Sequence, residues 1–132
     1  LSDLARSVWN EQPIDLEMGA FNAIWQTDAN ASVLAAFDHL AVPPRVINVA
    51  GPEQLSVRTV ALEFGRLLGK RVTLRGAEPS GALLSNAQMS HRLFGYPRVG
   101  ARQMMEWIAD WVRRGGESLD KPTHFQARDG NF

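Results

Sequence analysis

The chain has 132 residues, enough for one domain with a real core, and its 45% apolar content excludes a disordered polypeptide. Lys plus Arg equals Asp plus Glu at 14 each, which removes the electrostatic case for a dedicated nucleic-acid binder. Cysteine is absent, so disulfide staples and thiolate metal sites are excluded, and the apolar runs are too short to span a bilayer. With no signal-peptide pattern at its start, the expectation is a cytoplasmic protein without a membrane partner. The first residue is Leu1 rather than methionine, so the chain is expected to be processed or to be a piece of something longer.

In chain order, residues 2–10 read as a short helix, with Ser2 as cap and Leu4, Ala5, Val8 and Trp9 on one face. Ile14-Asp15-Leu16-Glu17-Met18 alternates as a half-buried strand does, and Gly19 ends it. Residues 20–26 read as extended too, giving an expected N-terminal hairpin. A helix follows from Asp28 or Asn30 to about Leu40, with Val33, Leu34, Phe37 and Leu40 as its buried stripe. Pro43-Pro44 stops it.

Residues 45–75 organise the rest. Val46, Ile47 and Val49 mark a strand over 45–50, punctuated by Gly51-Pro52. Ser56 is a good N-cap for a helix over 56–69, in which Val57, Val60, Ala61, Phe64, Leu67 and Leu68 share a face. Gly69 sits where a left-handed C-terminal residue is wanted, and a second strand spans 71–75. Strand, helix and strand with short joints predict a parallel βαβ unit and an α/β fold. Residues 76–82 are a loop by composition. Helices over 85–94, capped by Ser85 or Asn86, and 101–114 close the domain at residue 116. The broad apolar face of the last helix, which includes Trp107 and Trp111, predicts burial on more than one side. Residues 117–132 form a polar tail.

Candidate chemistry is sparse. Asn48, inside an apolar strand, either fastens a neighbouring loop or meets a ligand. Arg75 ends a parallel strand, where ligands of open α/β sheets gather, and Glu78 lies three residues on. The Arg75 guanidinium either holds a phosphate or belongs to a solvated surface pair. Asn22, Trp25, Gln26 and Asp28 form a polar–aromatic cluster, read either as core and cap or as the lining of a pocket for a polar ring. His39, His91 and His124 lack ligand spacing, so no metal site is expected. No nucleophile elbow, phosphate-binding loop or dinucleotide fingerprint is present.

Several blocks, taken in order, resemble the C-terminal half of the extended short-chain dehydrogenase/reductase family, the NAD(P)-dependent epimerases and dehydratases acting on nucleotide sugars and related substrates. They are Ile24-Trp25-Gln26-Thr27-Asp28-Ala29, then Ile47-Asn48-Val49-Ala50-Gly51 with Leu55-Ser56-Val57 and the helix to Gly69-Lys70. Leu93-Phe94-Gly95-Tyr96-Pro97 and the helix from Trp107 to Val112 complete the set. The resemblance covers about residues 1–114. It implies a substrate-binding portion, over residues 1–116, that closes on an N-terminal Rossmann half. NAD or NADP would be bound by the full-length parent and no cofactor by this chain alone.

By that resemblance Arg75 would meet a substrate phosphate and Glu78 a ribose or sugar hydroxyl, with Asn22, Trp25 and Gln26 as further substrate-side residues. Two departures accompany it. A second diphosphate-clamping arginine is replaced by Phe21, which points to a less anionic substrate. The Tyr-x-x-x-Lys pair that performs the acid–base step is missing, because the only tyrosine is Tyr96 and the residue four on is Gly100. This chain alone is therefore expected to be non-catalytic. The alternative is a stand-alone binding or oligomerisation module. The first reading expects an apolar face for the missing half or a second copy of the chain, and the second expects polar residues there.

Overall fold

The computed structural model describes residues 1–119. The polar-tail expectation lies outside the described residues from position 120 onward. Five α-helices are present in this part: α1 (Ser2–Trp9), α2 (Gln26–Ala35), α3 (Val57–Leu68), α4 (Gln88–Phe94) and α5 (Ala101–Arg113). Four two-residue strands accompany them: β1 (Ile14–Asp15), β2 (Ala20–Phe21), β3 (Leu55–Ser56) and β4 (Leu74–Arg75). The class is α/β, as expected, with a small parallel pair.

Helix α3 is the centre of the core. The Ser56 side chain accepts from the Thr59 N–H at 3.3 Å, which satisfies one of the free donors of the first turn. Val57, Val60, Ala61, Phe64 and Leu68 are buried, following the predicted face. Gly69 closes the helix in the left-handed conformation, φ +66°. The Arg113 guanidinium donates to the Leu67 carbonyl at 2.6 Å, so α5 covers an orphan acceptor at the end of α3. Helix α1 contributes Leu4, Ala5 and Val8, and α5 contributes Ala101, Met104, Ala109 and Val112. Ile14, Leu16, Met18 and Leu55 join the same cluster as Phe64.

The strands pair differently from the expectation. β1 runs parallel to β4, with Ile14 opposite Leu74 and Asp15 opposite Arg75. β2 runs antiparallel to β3, with Ala20 opposite Ser56 and Phe21 opposite Leu55. The N-terminal hairpin is therefore not formed. The chain turns tightly at Gly19, whose N–H donates to Leu16 O and whose φ is +69°, and this sends β1 and β2 to different partners.

The strand expected over 45–50 is also absent. That segment pairs with no strand among the described residues, so the parallel partner of 74–75 is β1 and the connection between them spans β2, α2, β3 and α3. Its β-branched residues mark a sequence suited to a sheet, but a strand needs a neighbour. Val46 is 84% exposed.

Three smaller expectations change as well. The residues read as the buried stripe of the second helix are exposed: Val33, Leu34, Phe37 and Leu40 range from 60% to 79%. That helix begins at Gln26, with Trp25 as N-cap, and gives way to a 3-10 turn at Ala36–His39. α4 starts later than expected, with Ala87 as N-cap, while the Asn86 side chain accepts from the Gln88 N–H. Trp107 and Trp111 are on the outer side of α5, at 44% and 56% exposure, so that helix is buried on one side only.

Candidate functional site

The carboxyl end of β4 leads into the loop 76–79, and the expected pair of site residues flanks this turn. Arg75 and Glu78 do not meet each other. The Arg75 Nε lies 3.2 Å from an Asp15 carboxylate oxygen, a contact set by the parallel register of β1 and β4. Glu78 accepts from Arg58 Nε at 3.2 Å and lies 3.5 Å from Ser56 Oγ. Ser56 thus serves two neighbours, since it also caps α3. Both ion pairs are open to water, which keeps such contacts weak and exchangeable.

Asp15 and Arg58 are not legible in the sequence as the partners of Arg75 and Glu78. Asp15 reads as the polar position of an alternating strand, and Arg58 as a solvated residue of a first helical turn. The register between distant strands is the missing signal in both cases.

The Asn22, Trp25 and Gln26 cluster is divided among separate surroundings. Asn22 is a tie: its amide donates to Ser85 O at 2.8 Å and Gly51 O at 3.4 Å, while its Oδ1 accepts from the Ser85 N–H at 3.2 Å. It borders a cavity of about 430 Å³, of mixed polar and apolar lining, that also meets Glu53, His91 and Tyr96. Trp25 lies against Trp107, ring centres 5.1 Å apart, in an apolar groove of about 600 Å³ bordered by Arg6, Trp111 and Leu119. Gln26 donates to the Asn30 side chain one turn on and is spent within α2.

Asp28, expected as a helix cap, instead accepts from the Val99 N–H at 3.0 Å. Glu53 does the same for Ala101 at 2.9 Å, placing a carboxylate at the positive end of α5. His91 Nε2 contacts Ala50 O at 3.0 Å and its ring lies 4.8 Å from that of Tyr96, which makes it a satisfied structural histidine. Asn48, expected inside a buried strand, is exposed on the rim of a cavity it shares with Arg45, Asn86 and Arg92. His124 lies outside the described residues.

Among the described residues no group of three or more His, Asp or Glu side chains could hold a metal ion. No helix among them is long and apolar enough to cross a membrane.

With this geometry in hand, the comparisons define a class of fold. No protein-family model and no curated protein sequence matches the chain. Solved structures do. UDP-glucuronic acid 4-epimerase from Bacillus cereus, in complex with NAD, superposes with a TM-score of 0.67 at 18% identity, over 88% of this chain and 39% of that one. UDP-glucose 4-epimerase from Thermotoga maritima, with UDP-glucose, gives 0.65 at 10% identity, over 86% and 38%. dTDP-glucose 4,6-dehydratase from Bacillus anthracis, in complex with NAD, gives 0.64 at 17% identity, over 84% and 37%. The chain has the fold of a portion of these nucleotide-sugar epimerases and dehydratases, the extended short-chain dehydrogenase/reductase fold. It spans about two fifths of the length of the structures it matches.

Proposed function

We propose that this chain is the C-terminal, substrate-binding part of an NAD(P)-dependent epimerase/dehydratase-like oxidoreductase, of the kind that acts on nucleotide sugars and related substrates. In this reading its partner is an N-terminal Rossmann half, which brings the dinucleotide and the acid–base pair. The loop 76–79 with Arg75 and Glu78 belongs to the substrate wall, with Asn22, Trp25 and Gln26 as further substrate-side residues. The chain supplies no catalytic group of its own.

The observation that carries this reading is the fold match over most of the chain combined with an apolar face that the chain leaves open. Helix α2 has no buried residue, and Val33, Leu34, Phe37, Leu40, Val42 and Val46 are all more than half exposed. A contiguous run of sequence that exposes so much apolar surface marks an interaction site rather than a finished exterior. The unpaired β-branched segment 45–50 lies next to it in sequence and is suited to extending another sheet. A stand-alone module calls for polar residues at these positions.

The test is tryptophan fluorescence under titration with NADH. The expected result is no saturable signal from this chain alone and saturable binding by the intact gene product that carries it. Saturable micromolar binding by the isolated chain, or no binding by the intact product, overturns the reading. Self-association through the same face is measured in parallel by sedimentation of the isolated chain.

A further inference from the structure

Asn48 and the cavity it borders take no part in the proposed function. The cavity, of about 430 Å³, lies between the segment 45–48 and helix α4. Its two walls are tied to each other. His91 Nε2 contacts Ala50 O at 3.0 Å, and the Asn22 side chain holds both Gly51 O and the backbone of Ser85. Gln88 and Arg92 are one helical turn apart, and both line the cavity from the α4 side.

Charge separates this cavity from the loop 76–79. There each guanidinium has a carboxylate, Asp15 for Arg75 and Glu78 for Arg58. Here Arg45 and Arg92 border one space, and no Asp or Glu is among the described residues lining it. Neither guanidinium has an ion pair or a hydrogen bond with another described residue. The remaining polar lining is amide, from Asn48, Asn86 and Gln88. The Asn86 carbonyl oxygen accepts from the Gln88 N–H at 3.1 Å, which leaves that side chain its N–H donors.

Two like charges around one space repel, and no acid of the lining offsets them. An oxyanion does. Guanidinium N–H groups match the oxygens of a phosphate, and amide N–H groups add further donors. A phosphate monoester carries roughly two negative charges at neutral pH and so answers two arginines, where a carboxylate answers one. The volume is that of a small-molecule pocket, and Val46, Met89 and Leu93 give it an apolar side. An apolar group attached to the phosphate fits against them. The formal net charge of the chain is zero, so a general attraction for anions is not at work.

We propose that this cavity is a binding site for an organic phosphate monoester. Arg45 and Arg92 hold the phosphate, Asn48, Asn86 and Gln88 donate to its oxygens, and the apolar side takes the organic group. Nothing in the inference depends on the loop 76–79.

The experiment titrates this chain calorimetrically with phenyl phosphate, inorganic phosphate and benzoate. Phenyl phosphate is expected to bind saturably, and at least about fivefold more tightly than either of the others. Arg45→Gln and Arg92→Gln should each weaken phenyl phosphate at least about fivefold, and the double variant should abolish binding. Asn48→Asp, which sets a carboxylate on the rim, should weaken it as much as either loss of an arginine. All these positions are exposed, so the melting temperatures should not move. Arg102→Gln, which removes one positive charge outside the cavity, should leave the affinity within about twofold.

No saturable binding of phenyl phosphate, an equal loss in Arg102→Gln, or equal affinity for benzoate or inorganic phosphate overturns the inference. So does binding by this chain that is lost in the intact gene product, since the two arginines then belong to the contact with the missing half. NADH binding by the intact product is measured separately, so the proposed function stands or falls on its own result.

Discussion

Gly51 leaves no space for a side chain: a carbon built on it would be 2.0 Å from the Ala23 carbonyl oxygen, a backbone atom that cannot swing away. The glycine is what lets the segment after residue 50 lie against the end of β2, where Asn22 then ties it down. Gly51→Ala is expected to be among the most destabilising single changes, by several times the effect of an average surface substitution, measured by chemical denaturation. Ser56 makes a smaller and more separable contribution. Ser56→Ala removes the α3 cap and should cost about 1 kcal/mol, while Ser56→Asn, a neutral cap that does not oppose the nearby Glu78 carboxylate, should restore most of it. Glu63 illustrates a pH effect at the same scale. The Arg66 side chain, hydrogen-bonded at 2.6 Å and 2.9 Å, holds the Glu63 carboxyl below its usual range. A depressed carboxyl pKa in the folded state adds stability above the unfolded-state value and loses it as pH falls through the folded one. The pair is open to solvent, so the effect is small and salt-sensitive. The melting difference between wild type and Glu63→Gln should shrink from pH 7 to pH 3 and with added salt.

At the scale of elements, α3 was legible in full because its information is local. Ser56, the apolar spacing and Gly69 each act within one or two turns, and all three agree. α1 and α5 were legible for the same reason in their extent, but not in what covers them. Trp107 and Trp111 are large and apolar and so belong in a core by composition, yet α5 turns Met104 and Val112 inward and leaves the indoles outside. The segment 45–50 had the composition of a strand without a neighbour to pair with, and composition does not report neighbours. The pairing of β1 with β4 brings together residues 60 apart, which no local pattern encodes. The same holds around the loop 76–79: position in the sequence singles out Arg75 and Glu78, while their ion-pair partners Asp15 and Arg58 come from the packing of distant elements. One prediction belongs here. Glu53 reaches 48 residues along the chain to satisfy the first N–H of α5. Glu53→Ala should loosen the start of that helix by about 1–2 kcal/mol, read as faster amide exchange near residues 101–104 while α3 remains protected.

For the molecule as a whole, the contrast is between a firm three-helix core and a face that the core does not use. Phe64 is fully buried among α1, α3 and α5, and Phe64→Ala should cost roughly 3–5 kcal/mol. The opposite case is α2. Val33→Glu combined with Phe37→Lys should leave the melting temperature of this chain nearly unchanged, because both residues are already wet. The same pair should reduce binding of a hydrophobic dye and raise solubility. In the intact gene product the pair should instead lower stability, because the proposed Rossmann half would then meet charges across an apolar contact.

The indoles of Trp25 and Trp107 lie 5.1 Å apart with their planes inclined by 60°. Two strongly absorbing rings so placed couple their electronic transitions, and the coupling appears as a paired positive and negative band in the circular dichroism of the far ultraviolet. Trp25 is the N-cap of α2, and Trp107 belongs to the anchored α5, so the couplet serves as a built-in goniometer for that helix. Replacing either indole by phenylalanine should erase the signal, and any ligand that swings α2 should change its amplitude without a label being attached.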